Sequence, residues 1–190
     1  MQLYGSTTSP YVRRLRIWLA EDQYEFVKID IMSKEGHKIL KQKNPVLKVP
    51  MLFDGEQAIY DSRIIYRYIN EKFGQREQLS WNDENNITMI DGANDSFVEV
   101  FLLRRSGIEG DDIMFINRQN KRIDLLLEQL NDKVAAGEFD QWQYPAISLY
   151  CLLDWITFRE LYDISALDSL VAFHAKHAQR NDVKETFPQV

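Results

Sequence analysis

Hydrophobic and polar positions change rhythm twice along the first 72 residues of this chain. Residues 1–4 are apolar enough for a short strand, and the turn-forming run Gly5-Ser6-Thr7-Thr8-Ser9-Pro10 follows. Pro10 stands where a helix accepts proline, in its first turn. Val12, Leu15, Ile17, Leu19 and Ala20 then predict a mostly apolar helix to about Glu21. Tyr24 to Ile31 alternates apolar and charged residues, the pattern of a half-buried strand. A polar, helix-compatible segment from Lys34 to Lys43 leads to Asn44-Pro45. Val49–Phe53 and Gln57–Tyr60 flank Asp54-Gly55, which predicts a β-hairpin. Ile64, Ile65, Tyr68 and Ile69 recur at helical spacing after Asp61-Ser62. The order β-α-β-α-β-β-α combines a parallel pair with an antiparallel hairpin, so the first part is an α/β domain.

The remainder is all helical. Residues 1–74 are expected to form the α/β domain, 75–83 a linker, and 84–190 a helical domain. Its helices are expected near 84–106, 111–136, 144–161 and 167–179, with breaks at Gly107-Ile108-Glu109-Gly110 and Gly137-Glu138-Phe139. Ile116, Ile123, Leu126, Leu127 and Leu130 share one face of the second. Ile147 to Phe158 is nearly all apolar, which predicts a buried central helix.

Composition narrows the classes. With 190 residues, 45% hydrophobic and 27% charged, the chain can bury a core and is not of disordered type. A net charge of −6 argues against nucleic acid as partner, despite Arg13, Arg14 and Arg16. No apolar run reaches membrane-spanning length. The start of the chain lacks the pattern of a signal peptide, and Cys151 is the single cysteine. That excludes an intramolecular disulfide or multi-cysteine zinc site and suits a reducing compartment, so a cytoplasmic location is expected.

Three local features carry candidate chemistry. Ser9 opens a helix whose unpaired amides and partial positive charge stabilise an anion or thiolate, and its hydroxyl can donate to one; the plainer reading is an N-cap. Pro50 opens a strand, where a cis bond after Val49 would expose main-chain groups to an extended peptide, or it is an ordinary strand-start proline. Ser62 and its amide at a helix start could cradle a carboxylate and Asp61 an ammonium, or the two are a capping pair.

Taken in order, Ser9-Pro10-Tyr11 through Leu15-Arg16, Asn44-Pro45-Val46-Leu47-Lys48-Val49-Pro50 and Tyr60-Asp61-Ser62-Arg63-Ile64-Ile65 resemble the glutathione transferase superfamily, in its bacterial type with serine at the thiol site. The helical second half and the ending Val183-Lys184-Glu185-Thr186 after Arg180 fit as well. The resemblance implies a thioredoxin-like N-terminal domain, a helical C-terminal domain lining an electrophile pocket, and usually a homodimer. It implies that Ser9 stabilises the glutathione thiolate and that Val49 pairs with the cysteinyl part beside a cis Pro50. Asp61 and Ser62 would hold the γ-glutamyl group. Lys34, His37 and Lys48 are candidates for the glycine carboxylate, and Tyr11, Asp91 and Asp95 for the electrophile pocket. Serine at position 9 favours conjugation over disulfide exchange, because a hydroxyl forms no mixed disulfide.

The expected function is therefore activation of glutathione, as co-substrate and without a metal, for attack on a small apolar electrophile. The alternative is a non-catalytic protein of the same fold, a thiol sensor or a scaffold for a protein partner such as RNA polymerase. Two departures stand out. Leu47 replaces the usual glycine before Lys48, and Gln143 and Ala146 replace the usual capping box of the central helix. Cys151 is expected as an inert core thiol, Trp18, Tyr66 and Tyr68 as packing residues, and His174 and His177 as solvated surface.

Overall fold

The computed structural model describes residues 1–19, 24–110 and 112–188. The chain divides into two compact units, Met1–Gln78 together with Arg180–Val190, and Leu79–Gln179. The last eleven residues thus group with the first unit rather than with the helices that precede them.

The first unit contains β1 (Gln2–Gly5), α1 (Pro10–Trp18), β2 (Glu25–Lys28), α2 (Lys34–Lys43), β3 (Met51–Asp54), β4 (Gln57–Tyr60) and α3 (Ser62–Lys72). The expected continuation of α1 through Ala20 to Glu21 lies outside the described residues. The sheet order is β2-β1-β3-β4, with β1 and β2 parallel and the other neighbours antiparallel. This is a thioredoxin-like α/β arrangement.

Strand alternation sends side chains to two cores. Tyr4 and Met51 pack with Ile29 and with Leu40 of α2 on one face. Leu3, Leu52 and Ile59 are paired across the sheet on the other, where all three are buried. The hairpin turns at Gly55, whose φ of 60° is open to glycine without a steric cost. Asp54, at the end of β3, accepts from Tyr68 Oη at 2.7 Å and pairs with Lys72, which ties the hairpin to α3.

Between α2 and β3 the chain is shaped by Asn44, which is 1% exposed. Its Oδ1 accepts from Val46 N at 2.9 Å and its Nδ2 donates to Lys48 O at 2.7 Å. Leu47 N completes the turn on Asn44 O, and Leu47 itself has φ 57°. That is left-handed backbone, which costs an L-residue about 1–2 kcal/mol. The short helix α8 (Asn181–Glu185) also belongs to this unit. Buried Arg13 holds it, donating to Val183 O at 3.1 Å and to Thr186 Oγ1 at 3.4 Å.

The second unit is built from α4 (Trp81–Arg105), α5 (Met114–Ala135), α6 (Tyr144–Phe158) and α7 (Asp168–His177). Helix α4 starts three residues before the expected 84, inside the stretch expected as linker. The reason is a capping box: Asp83 N donates to Ser80 Oγ while Ser80 N donates to the Asp83 carboxylate. The beginning expected for the next helix includes residue 111, which is outside the described residues. Helix α6 ends at Phe158 rather than 161 because Glu160 turns left-handed at φ 52° and Leu161 N bonds back to Ile156 O. Every residue from Tyr144 to Ile156 is buried, including Cys151, so α6 is the central helix of this unit. Gln143 makes no side-chain cap, and Pro145 lies in the first turn.

The two histidines of α7 are not solvated surface. His174 places Nε2 2.9 Å from Asp154 Oδ1 and stacks on Tyr150, whose hydroxyl donates to the same oxygen at 3.1 Å. His177 is 5% exposed and stacks on Trp142 with ring centroids 4.3 Å apart. Their partners come from α6 and from the segment before it, far away in sequence.

Glu138 closes the turn between α5 and α6. Its carboxylate accepts from Asn82, Asn86 and Lys133 at 2.8 to 3.2 Å. The hydrogen bond from Asn86, then those from Lys133 and Asn82, lower its pKa from 4.5 to about 2. A carboxylate with a depressed folded-state pKa stabilises fully above its unfolded value and loses that contribution as pH falls through the folded one. Glu138→Gln is therefore expected to lower the melting temperature at pH 7, with the difference from wild type shrinking between about pH 4.5 and 2. Thermal unfolding of both proteins across that range checks it, and a deficit independent of pH would contradict the charge-based account. At Leu47 the sign can be reversed by choice of residue. Leu47→Gly should raise unfolding free energy by up to about 1 kcal/mol, and Leu47→Val should lower it by a similar amount. Denaturant titration of the three proteins reads both changes.

Candidate functional site

The cross-strand register gathers the candidate residues of the first unit. Tyr4, Met51 and Tyr60 are paired across β1, β3 and β4. The loop leaving β1, the loop entering β3 and the loop leaving β4 therefore open at one end of the sheet. Those loops carry Ser9, Val49-Pro50 and Asp61-Ser62, respectively. Because β2 runs parallel to β1, its end and the start of α2, with Lys34, also lie at this end.

Ser9 is the N-cap of α1, with extended backbone (φ −84°, ψ 124°) and Oγ accepting from Val12 N at 3.4 Å. Ser9 N in turn donates to Ser6 O at 3.2 Å, which closes the loop behind it. A capping hydroxyl spends a lone pair on the helix amide, while its proton is a donor. No acidic residue occupies the first turn of α1, so the positive end of the helix dipole is not offset there. Tyr11, in that turn, is half-buried and lies under the Arg14 guanidinium, 5.1 Å from the ring centroid.

The Val49–Pro50 peptide bond is cis. Pro50 is buried, and Val49 packs against the core of Tyr4 and Met51. The ladder with β1 stops at Met51, so the main chain of Val49 lies beyond it. Lys48 is exposed, and its carbonyl is held by Asn44. Lys34 and His37, near the start of α2, are exposed as well.

Asp61 is the N-cap of α3, its Oδ1 accepting from Arg63 N at 2.8 Å and Ile64 N at 3.3 Å. Its backbone, φ 71° and ψ 134°, is one that L-residues rarely adopt. Such a conformation costs on the order of 1–3 kcal/mol and persists where the surroundings over-determine it. Here the two cap bonds and the β4 ladder on one side and α3 on the other do so. Ser62, the first residue of α3, is 1% exposed. Its Oγ accepts from Arg14 Nε at 3.2 Å and Nη2 at 2.5 Å.

Arg14 is the residue that reading by motif missed. It counted as one of three basic residues of a helix, yet it is 1% exposed and ties the middle of α1 to the first residue of α3. The available signal was an arginine flanked by Val12, Leu15 and Ile17 in an otherwise apolar helix. Asn44 was read as half of an Asn-Pro break and as the start of a motif segment, not as the residue that holds the turn before Val49. Trp18 and Tyr66 do pack, ring against ring at 4.7 Å, and both donate to the Glu77 carboxylate.

Asp91 and Asp95 lie one turn apart on α4 of the helical unit, Asp91 half-buried and Asp95 exposed. Among the described residues no group of His, Cys, Asp and Glu could hold a metal ion, and no helix is long and apolar enough to cross a membrane.

Residues 3–77 match the family model for the glutathione S-transferase N-terminal domain. Over 172 residues the chain is 27% identical to the uncharacterized GST-like protein YibF of Escherichia coli strain K12, covering 85% of this chain and 84% of YibF. A probable glutathione S-transferase of Oryza sativa subsp. japonica is 38% identical over 95 residues, covering 48% of this chain and 43% of the rice protein. Among solved structures, a glutathione transferase family member from Pseudomonas fluorescens Pf-5 with bound glutathione superposes with a TM-score of 0.84. It is 25% identical and covers 100% of this chain and 99% of the other. A glutathione S-transferase from Methylobacillus flagellatus KT with glutathione bound gives a TM-score of 0.86 at 20% identity, covering 99% of each chain. Residues 3–77 thus match the glutathione S-transferase N-terminal domain, and the chain shares the fold of the glutathione transferase superfamily along its length.

Proposed function

We propose that this protein is a glutathione-dependent transferase that lowers the pKa of the glutathione thiol and directs the thiolate at a small apolar electrophile. The observation that carries the reading is the gathering of Ser9, Val49 and Ser62 at one end of the sheet through the Tyr4–Met51–Tyr60 register. Two of the neighbours with this fold were solved with glutathione. In this reading the main chain of Val49 pairs with the cysteinyl residue as a short added strand. The Ser62 hydroxyl and amide hold the γ-glutamyl carboxylate, and Asp61, with acceptor capacity beyond its two cap bonds, takes the ammonium. Lys34, His37 and Lys48 answer to the glycine carboxylate. Tyr11, Asp91 and Asp95 belong to the electrophile side.

Ser9 acts on the thiol. Its O–H donates to sulfur and the end of α1 adds partial positive charge, both favouring the thiolate. Lowering a thiol from about 8.5–9 toward neutrality is a shift of roughly two units, or about 3 kcal/mol. The proton goes to solvent and the sulfur forms a bond to carbon. The bond from that carbon to its leaving group breaks and the pair departs with the leaving group, or in an addition a π bond opens and its pair moves to the acceptor atom. Leu47 bears on the alternative of a non-catalytic scaffold. It adopts the left-handed φ that a glycine would take, so the substitution leaves the turn before Val49 in a glycine-like conformation. The homodimer belongs to this proposal as well; Ile64, on α3, is 48% exposed and suits an interface.

Ser9→Ala should raise the pKa of bound glutathione, read as thiolate ultraviolet absorbance against pH, and cut kcat by much more than it weakens glutathione binding. An unchanged kcat and pKa would remove Ser9 from the chemistry, and binding without any lowered pKa in wild type would favour a sensor. Arg14 is a positioning residue, acting through Ser62. Arg14→Lys loses the two-nitrogen fork, since a single ammonium nitrogen can place only one N–H on Ser62 Oγ. The expected result is about a tenfold rise in KM for glutathione with kcat at saturation largely kept, the loss of one charge-assisted bond's worth of binding. A fall in kcat with unchanged KM would contradict this role.

A further inference from the structure

In helix α2 only Gly36 and Leu40 are buried, and the rest of its residues are exposed. Gly36 lets the helix lie directly on the loop behind it, since a Cβ there would collide with Asp30 O. Leu40 joins the core of Tyr4 and Met51. The helix is thus fastened along one narrow line, and its opposite side faces outward. Lys34, Lys38 and Lys41 stand at i, i+4 and i+7, which puts them together on that outward side.

This side is basic in a chain whose net charge is −6. Residues 34–48 hold Lys34, Lys38, Lys41, Lys43 and Lys48 against a single acid, Glu35. Asp30, just before the helix, turns its carboxylate to Met32 N at 3.0 Å. Lys43 lies over the rings of Tyr4 and Phe53, 5.1 and 4.7 Å from their centroids. Among the described residues Lys34, Lys38, Lys41 and Lys48 have no carboxylate within ion-pair distance. The helix dipole accounts for Lys41 and Lys43 in the last turn, but Lys34 at the first position opposes it. From Lys34 to Lys41 is about 10 Å along the axis. That is close to the Debye length of about 8 Å at physiological salt, so the charges act on a partner together. Exposed apolar side chains bracket them: Met32 is 63% exposed before the helix, and Val46 and Leu47 are 56% and 46% exposed after it.

We propose that this face docks the protein on the surface of an anionic lipid bilayer, with the lysines at the headgroups and Met32, Val46 and Leu47 entering the interface. Cations alone fit any polyanion. Unpaired cations set among exposed apolar side chains fit a phase that presents negative charge over hydrocarbon, which an acidic peptide in water does not. Each lysine near such a surface contributes about a fivefold gain in affinity. Docking of this kind lies on the bilayer and requires no spanning helix. The start of α2 is at the sheet end that carries Ser9 and Val49, so docking brings that end near a phase that concentrates apolar electrophiles. That consequence rests on the transferase reading; the docking itself does not.

The test is sedimentation of the full-length chain with lipid vesicles in the absence of glutathione. Vesicles of phosphatidylcholine with about one-third phosphatidylserine are compared with phosphatidylcholine alone. Binding is expected to the first only, and it should fall as salt is raised. Lys38→Gln combined with Lys41→Gln, at exposed positions outside the groups assigned to glutathione, should weaken binding about twentyfold. Met32→Gln should weaken it several-fold. Lys121→Gln combined with Lys184→Gln removes the same charge from exposed positions elsewhere and should change little. Equal binding to neutral vesicles, no binding to either kind, or the same loss in both double variants would overturn the proposal. Retention on polyglutamate, with vesicle binding indifferent to Met32→Gln, would assign the face to an acidic protein segment and overturn it as well. No thiol takes part, so failure here leaves the role given to Ser9 untouched.

Discussion

The first unit depends on the pairing of Tyr4 with Met51 and of Met51 with Tyr60. Strand register is all-or-none in a sheet covered on both faces, because a slip of one residue exchanges the two sets of side chains. Here such a slip would move Leu3, Leu52 and Ile59 out of one core and Tyr4 and Met51 out of the other. The burial that fixes the register therefore also fixes where three loops begin. Ser9, Val49 and Ser62 meet at one sheet end as a consequence of core packing, before any of them takes part in chemistry.

Around that frame, unusual backbone is held in place by polar side chains. Leu47 and Asp61 both have positive φ, and each is flanked by bonds that leave the chain little alternative. Asn44 brackets Leu47 through Val46 N and Lys48 O, and Asp61 caps α3 with its own carboxylate. The strain is small beside the burial of the surrounding core, and it coincides with the two loops that carry candidate ligand groups. Arg14 adds a cross-brace. A guanidinium shared with Ser62 sets the start of α3 against the middle of α1, so the serine's position depends on a residue 48 places earlier.

The helical unit uses buried polar groups differently. Asp154 collects Tyr150 and His174, and Glu138 collects Asn82, Asn86 and Lys133, so each carboxylate fixes elements distant in sequence. Such groups are costly to bury unless satisfied, and satisfied they select one packing over others. The arginines around Phe101 are the exception. Arg105 and Arg159 lie over the Phe101 ring, and among the described residues neither has a carboxylate partner, which sets that end of the unit apart from the rest.

Much of this was legible in the order of residues. The strand and helix sequence of the first unit, its α/β class, the hairpin at Gly55 and the buried character of α6 follow from local periodicity and turn chemistry, which act over a few residues and leave a mark on each one; the thioredoxin-like class came only with the family resemblance. The motif segments named Ser9, Val49-Pro50 and Asp61-Ser62 because each sits at an element boundary where caps and prolines are visible. Helix limits were less legible: α4 begins at Trp81 because of the reciprocal Ser80–Asp83 bonds, and α6 stops where Glu160 turns left-handed. What only the tertiary structure decided was partnership. That Arg14 serves Ser62, that His174 faces Asp154 and His177 lies on Trp142, and that the C-terminal helix is held by Arg13 all rest on contacts between residues 20 to 170 positions apart. Spacing along the chain carries no trace of such pairs. They exist because burying a polar or charged group demands a partner, and the fold alone determines which one is within reach.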